Sequence, residues 1–264
     1  MTATLPENAS PELRVAIEAA TAAAAISRDY YRGNFTVSTK ADQTPVTQAD
    51  VECEETIKRI ILGAFPEHGF LGEETGRTQA DAEYLWLVDP IDGTKAFVRQ
   101  YPMFSTQIAL MHNSELVLGV SNGALFDEMA WAERGQGAWL NGEQLNVSDV
   151  AATDRAAIST GNLKSLAKSD GWPRLGRIIA EADRIRGYGD FLHYHLLAAG
   201  KVDAVIESDV NILDVAALSV IVEEAGGIFT DLNGGRIDLD IRSVLAANTA
   251  MHALLLGELQ GCLD

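Results

Sequence analysis

The sequence predicts a layered α/β protein with an N-terminal α+β half, residues 1–150, and a C-terminal α/β half, residues 151–264. Three observations predict it. Two helix-periodic segments open the chain, with apolar or small residues along one face. Between residues 106 and 142 short apolar runs alternate with turn signals, the pattern of an antiparallel meander. After about residue 155 strand-like and helix-like segments alternate, as they do in a sheet covered by helices. With 264 residues the chain can bury a sizeable core, as one large domain or two modest ones.

Residues 1–9 read as a loose N-terminus. Ser10 and Pro11 start a helix, the first as cap and the second in the first turn. Leu13, Ile17, Ala20 and Ala24 share one face of it, and it ends at Gly33. Phe35 and Val37 suggest a short strand, and Thr44-Pro45 a turn. Thr47 caps a second helix running to about Phe65, with Asp50 in the first turn, where its charge suits the helix dipole. Phe70, Leu71 and Gly72 form a strand leading to Glu73-Glu74-Thr75. The polar residues 76–83 read either as a flap over a site or as a plain connecting loop. Leu85, Trp86, Leu87 and Val88 are a buried strand that ends at Asp89-Pro90, because proline has no N–H for a ladder. A short helix follows Asp92-Gly93-Thr94.

Residues 106–110 and 116–120 form a hairpin around His112-Asn113-Ser114. Residues 129–132 and 137–140 extend it as far as the tight-turn pair Asn141-Gly142, and Trp131 and Trp139 are packing residues. Polar residues 148–155 mark a boundary. Beyond it come a strand at 156–160, helices near 162–168 and 173–182, a strand at 184–186, a helix at about 191–199 and a strand at 202–207. Asp214 starts a helix with apolar periodicity from Val215 to Val222, closed by glycines. A strand at 243–246 and a helix from Thr249 complete the chain.

Thirty-eight acidic against twenty basic residues leave a net charge of −18, which argues against nucleic-acid or anionic-membrane partners. A small phosphorylated substrate stays compatible, since metal ions reverse the local field. Cys53 and Cys262 are far apart, without metal spacing, and read as free thiols of a reducing compartment. No stretch approaches a membrane span, and the alanine-rich run near residues 19–26 follows Glu7, Glu12 and Glu18 rather than a basic start. A cytoplasmic location is the expectation.

The chemistry centres on residues 85–97. Asp89 and Asp92 stand beside Gly93 and the free amides of a helix start, which favour an anion. Two carboxylates repel that anion unless a divalent cation stands between. The string DPIDGTKAF resembles the signature of the inositol monophosphatase-like family of metal-dependent phosphatases. Two further matches strengthen the resemblance: Gly72-Glu73-Glu74, and Asp214 followed by Val-Ala-Ala. Leu213 stands where the family usually has tryptophan, a departure that leaves the ligand untouched.

The resemblance runs from about Glu12 to Leu256. It implies an α-β-α-β-α sandwich of the inositol monophosphatase and fructose-1,6-bisphosphatase type. It implies metal ligation by Glu73, Asp89, the Ile91 carbonyl, Asp92 and Asp214, with Mg2+, two or three ions per site, as cofactor. Gly93 and Thr94 would hold phosphate, Glu73 and Thr94 would be catalytic, and Lys40 and Asp50 would lie at the periphery. A homodimer is expected on the same ground.

Arg186-Gly187-Tyr188-Gly189-Asp190, Tyr194 and the wording of residues 89–110 look most like the histidinol-phosphatase branch. A cationic amine or imidazole suits acids beyond the metals, so Asp190 and Glu207 are the candidate substrate-binding residues. Asp190 also reads as the cap of the next helix. His193 and His195 face opposite ways and do not form a metal pair, while His68, His112 and His252 read as surface or packing residues. L-Histidinol phosphate is therefore the expected substrate. Inositol 1-phosphate is the first alternative, adenosine 3′,5′-bisphosphate a second, and a non-catalytic binding protein on the same fold a third.

Overall fold

The computed structural model describes residues 9–33, 37–39, 45–79 and 81–263, with the backbone alone for 37–39, 45 and 46. Lys40, Phe35, Thr44 and residues 1–8 lie outside the described residues.

Helix α1 (Pro11–Arg32) starts on Ser10, whose hydroxyl accepts the Leu13 N–H at 3.0 Å. A two-stranded ribbon, β1 (Val37–Thr39) and β2 (Pro45–Thr47), leads to α2 (Gln48–Ala64), capped by Thr47. An eight-stranded sheet follows, built from β3 (Gly69–Gly72), β4 (Gly76–Thr78), β5 (Tyr84–Asp92), β6 (Ser105–His112), β7 (Glu115–Gly123), β8 (Glu128–Glu133), β9 (Ala138–Leu140) and β10 (Glu143–Gln144). Its spatial order is β10-β9-β8-β7-β6-β5-β3-β4, antiparallel except where β3 runs parallel to β5. The short helix α3 (Thr94–Val98) leaves the end of β5.

The second sheet has the order β12-β11-β13-β15-β14, from β11 (Ala157–Thr160), β12 (Arg184–Arg186), β13 (Ala204–Ser208), β14 (Gly227–Thr230) and β15 (Ser243–Asn248). Helices α4 (Gly171–Glu181), α5 (Asp190–Ala198), α6 (Ile212–Glu224) and α7 (Thr249–Leu259) connect and cover it.

Strand alternation assigns the layers. On β5, Trp86 and Val88 join Leu13, Ala20, Cys53 and Ile57 in a core under α1 and α2, while Leu85 and Leu87 face Phe191, Val215 and Ala217 of α5 and α6. On β13, Val205 faces that same middle layer, and Ala204 and Ile206 face Leu175 of α4 and Met251 of α7. The order is therefore helix, sheet, helix, sheet, helix, the sandwich that the resemblance implies.

Several expectations are corrected. β5 does not end at Asp89-Pro90 but continues to Asp92. Asp89 pairs with Gln107 and Asp92 with Ser105, so β5 spends one more residue than β6 over that step. This is a β-bulge, and a bulge tolerates a proline that a regular ladder would reject. Residues 76–83 include β4, which folds back on β3 as a hairpin. Residues 162–168 contain only a 3-10 turn, Leu166–Lys168, and β14 was not expected. Asn211, not Asp214, caps α6. Gly189, not Asp190, is the cap residue of α5.

Candidate active site

The bulge in β5 builds the centre of the site. In a regular strand, residues three apart point to opposite faces. The extra residue between Asp89 and Asp92 cancels that offset, and their partners Gln107 and Ser105 are two apart, hence on one face. Both carboxylates thus enter the middle layer, where α6 brings Asp214. Carboxylate oxygens of Asp89, Asp92 and Asp214 lie within 4.8 Å of one another. Asp89 is only 3% exposed and accepts the Ile91 N–H at 3.0 Å, and Asp92 accepts the Ser105 hydroxyl at 3.2 Å. Asp214 is the third helical residue of a capping box, accepting the Asn211 N–H at 2.9 Å while the Asn211 side chain accepts from Leu213. Leu213, the departure from the family pattern, packs against the middle-layer core.

Glu73 arrives from the turn after β3 and lines the same cavity of about 560 Å³. Its position rests on Glu54, a residue that sequence reasoning passed over. Glu54 is fully buried on α2, and its carboxylate accepts the amides of Glu74 and Thr75 at 2.8 and 2.6 Å. A Cβ on Gly72 would stand 2.3 Å from the Glu54 carboxylate, which explains why glycine precedes the two glutamates.

Asp50 lies behind the cavity. It accepts the Thr47 N–H at 2.7 Å and the Thr94 hydroxyl at 3.3 Å, and that hydroxyl also lies 3.2 Å from the Ile91 carbonyl. Asp50 is therefore tied directly to Thr94. The first intrahelical bond of α3 runs from Ala96 N–H to Gly93 O at 2.8 Å, so the Gly93, Thr94 and Lys95 amides precede the helical ladder at the cavity wall. Gly93 has φ +90°, and a Cβ there would meet the Met103 carbonyl at 2.5 Å, so both backbone and space demand glycine.

Another part of the wall comes from the second sheet and α5. Asp190 and Glu207 both line the cavity. Glu207, 4% exposed, accepts from Tyr194 at 2.7 Å and from the Asn162 amide at 3.0 Å, and lies 3.1 Å from His193 Nε2. Asp190 sits at φ +44° beside it. A Cβ on Gly161 would fall 1.7 Å from Glu207 Oε1. Gly161→Ala is expected to displace Glu207 and to destabilise the protein by about 1–3 kcal/mol in urea unfolding, the usual scale of overpacking. An unchanged midpoint would contradict that packing. His193 faces Glu207, whereas His195 faces Glu128 and Ser121, so the two histidines do point apart. His68 stacks on Phe65 and Tyr84, as a packing residue does.

Electrostatics make the cluster unstable as a set of bare anions. Burial, then the charges of Glu73, Asp92 and Asp214, holds Asp89 well above the usual carboxylate range. Burial, then Asp190 and Asp214, does the same to Asp92. Asp214 is pushed up to about 7 by burial and by Glu73 and Glu207, against the opposing bonds from Asn211. Asp190 is pushed up to about 6 by burial and the Glu207 charge. Burial raises Asp50 too, against lowering bonds from Thr47. Burial would also raise Glu207, but His193, Tyr194 and the Asn162 amide outweigh it and leave the carboxyl below its ordinary value. Among the described residues no lysine, arginine or histidine forms an ion pair with Asp89, Asp92 or Asp214. Converging oxygen donors, raised affinity for protons and no paired base fit a hard divalent cation.

Every sequence-derived site residue among the described ones reaches this cavity, apart from Asp50 behind Thr94; Lys40 is outside the described residues. Asn162, Asn211 and Asp209 also line it and were not foreseen.

The family model for the inositol monophosphatase family matches residues 8–264. A histidinol-phosphatase of Mycobacterium tuberculosis is 40% identical over 209 residues, covering 75% of this chain and 78% of that protein. An inositol-1-monophosphatase of Mesorhizobium japonicum is 34% identical over 260 residues, covering 92% and 94%. The crystal structure of the extragenic suppressor protein suhB from Bartonella henselae superposes with a TM-score of 0.87 at 32% identity, covering 96% of this chain and 99% of that one.

Proposed function

The chain belongs to the inositol monophosphatase family and is a phosphatase of that family, and from this premise we propose that it is a magnesium-dependent phosphomonoesterase acting on L-histidinol phosphate. The observation that carries the substrate choice is the pair of acids Asp190 and Glu207, which line the same cavity as the Asp89, Asp92 and Asp214 cluster. A cationic amine or imidazole gains from those carboxylates, and an inositol ring, which offers only hydroxyls, gains less. The histidinol-phosphatase relative supports the same reading.

Glu73, Asp89, the Ile91 carbonyl, Asp92 and Asp214 would hold two or three magnesium ions, which when bound supply positive charge to the phosphate and acidify water. Glu73 and the Thr94 hydroxyl orient the attacking water and remove its proton. Asp50 fixes the direction of that hydroxyl through the 3.3 Å contact. The Gly93 and Thr94 amides bind phosphate oxygens as charge shifts during transfer. Water adds to phosphorus, the ester P–O bond breaks, and the departing alkoxide takes up the proton released by the attacking water. In this scheme residues 1–150 supply the hydrolytic groups apart from Asp214, and residues 151–264 select the substrate.

Among the described residues no helix is long and apolar enough to cross a membrane, and Cys53 and Cys262 are buried. With the net charge of −18, these support a cytoplasmic enzyme without nucleic-acid or membrane partners, and by family likeness a homodimer.

The test is kcat/KM on histidinol phosphate, inositol 1-phosphate, adenosine 3′,5′-bisphosphate and fructose 1,6-bisphosphate. Histidinol phosphate is expected to lead by at least tenfold, about 1.4 kcal/mol of transition-state discrimination. The Mesorhizobium relative makes inositol 1-phosphate the second reading, and a lead for that substrate would replace the first. Asp190→Asn is expected to abolish the preference for the amine substrate while cation binding is kept. Unchanged selectivity would remove Asp190 from the role.

A further inference from the structure

The Ser105-Thr106-Gln107 triplet on β6 belongs to the wording that singled out the histidinol-phosphatase likeness, yet none of it reaches the cavity wall. All three side chains brace the bulged segment or each other. Thr106 donates to the Pro90 carbonyl at 2.9 Å, inside the bulge. Ser105 donates to Asp92 Oδ2 at 3.2 Å. Gln107 Nε2 donates to Ser105 Oγ at 2.7 Å and to Ser121 Oγ at 3.0 Å. Ser121 lies 2.9 Å from His195 Nε2, and His195 Nδ1 lies 2.8 Å from Glu128. Glu128 as a carboxylate only accepts, so Nδ1 carries the proton towards it. In the tautomer with its proton on Nδ1, Nε2 accepts the Ser121 hydroxyl.

A continuous chain thus runs from partly exposed Glu128 to Asp92, through four side chains each 1% exposed or less. It crosses β8, α5, β7, β6 and β5 inside an apolar layer flanked by Leu87, Ala109 and Phe191. Apolar side chains of similar shape would be no worse for stability there, and among the described residues Gln107 Oε1 has no hydrogen-bond partner. What the chain supplies is direction. A serine hydroxyl has one proton and turns freely; with the Gln107 N–H on its oxygen, the Ser105 proton points to Asp92 Oδ2. That leaves Asp92 Oδ1 for a cation.

We propose that Gln107 is a positioning residue of the metal centre, which aims the Asp92 carboxylate through Ser105 and is itself anchored by Ser121, His195 and Glu128. The proposal rests on the reading of Asp92 as a metal ligand. Mn2+ alone is the probe, with binding followed by the loss of its free-ion EPR signal, alongside thermal unfolding in EDTA. Wild type should bind Mn2+ and Asp92→Asn should lose it; failure of that pair sinks the ligand reading itself. Given that pair, Gln107→Met is expected to weaken Mn2+ binding roughly tenfold, the scale for partners of metal ligands, with an EDTA-state Tm equal to or above wild type. Ser105→Ala should weaken it comparably, and the double variant should be no weaker than Ser105→Ala, because one residue acts through the other. Ser121→Ala, which removes only one anchor, should shift binding the same way by about threefold and covers the case in which Gln107→Met does not fold. A merely structural Gln107 would instead lower the EDTA-state Tm and leave Mn2+ affinity at the wild-type value. That result, or additive losses in the double variant, overturns the proposal.

Discussion

Asp89→Asn is expected to lower kcat/KM for phosphate release by at least a factor of ~10³, about 4 kcal/mol, and to raise the Tm of the metal-free protein. The opposite signs follow from one arrangement. The asparagine oxygen keeps the 3.0 Å bond from the Ile91 amide. The new NH2 group replaces a buried anion crowded by Glu73, Asp92 and Asp214; burial first, and then those charges, hold Asp89 well above its usual range. Folding therefore loses a repulsion, and the site loses a donor that a cation needs. Steady-state kinetics and calorimetry in EDTA measure the two effects on one sample. A variant with wild-type turnover, or one that loses activity through a lowered metal-free Tm, would show Asp89 to be a packing residue.

Magnesium should raise the Tm by about 5–10 °C at pH 8 when present at some hundred times its dissociation constant, and by far less at pH 5.5. The sign follows from proton linkage. Asp214 moves from 3.8 to about 7 on folding, and Asp190 from 3.8 to about 6, with Asp89 and Asp92 shifted in the same direction. A carboxyl raised in the folded state binds more protons there than when unfolded. Its stabilising contribution is complete below the unfolded value and is lost as pH rises through the folded one. The metal-free protein therefore weakens between about pH 4 and pH 7–8 as these acids ionise against each other. Cations compete with the same protons, so their effect grows over that window. Equal Tm shifts at the two pH values would mean that the cation binds elsewhere.

The order of layers was legible through the family resemblance, and the burial pattern of the strands agrees with it. Trp86 and Val88 against Leu85 and Leu87 alternate as a strand between two cores must, and Ala20 and Ala24 read as a close-packed helix face. The candidate ligand set was legible through the resemblance carried by DPIDGTKAF, Gly72-Glu73-Glu74 and Asp214-Val-Ala-Ala, since each acid alone also reads as a turn, loop or helix-start residue. The bulge was not read, although a signal existed: two carboxylates three apart in one strand can share a face only if the strand carries an extra residue. Pro90 reads locally as a strand end, whereas it marks that irregularity. Glu54 was also readable, as an acid on the face of α2 that carries Asp50, Cys53, Ile57 and Ile61. Asn211 followed three residues later by Asp214 is a capping pair, and reading it would have moved the start of α6. The bonds of Glu207 with Tyr194 and Asn162, and of Gln107 with Ser121, join residues on different elements; no local pattern encodes them.

Anomalous diffraction from crystals grown with Mn2+ tests the central claim most directly. The account predicts at least one anomalous peak bounded by carboxylate oxygens of Asp89, Asp92 and Asp214, with Glu73 turned towards the same ion or its neighbour. Mn2+ bound only elsewhere on the chain, with those four side chains well ordered around water alone, would contradict it.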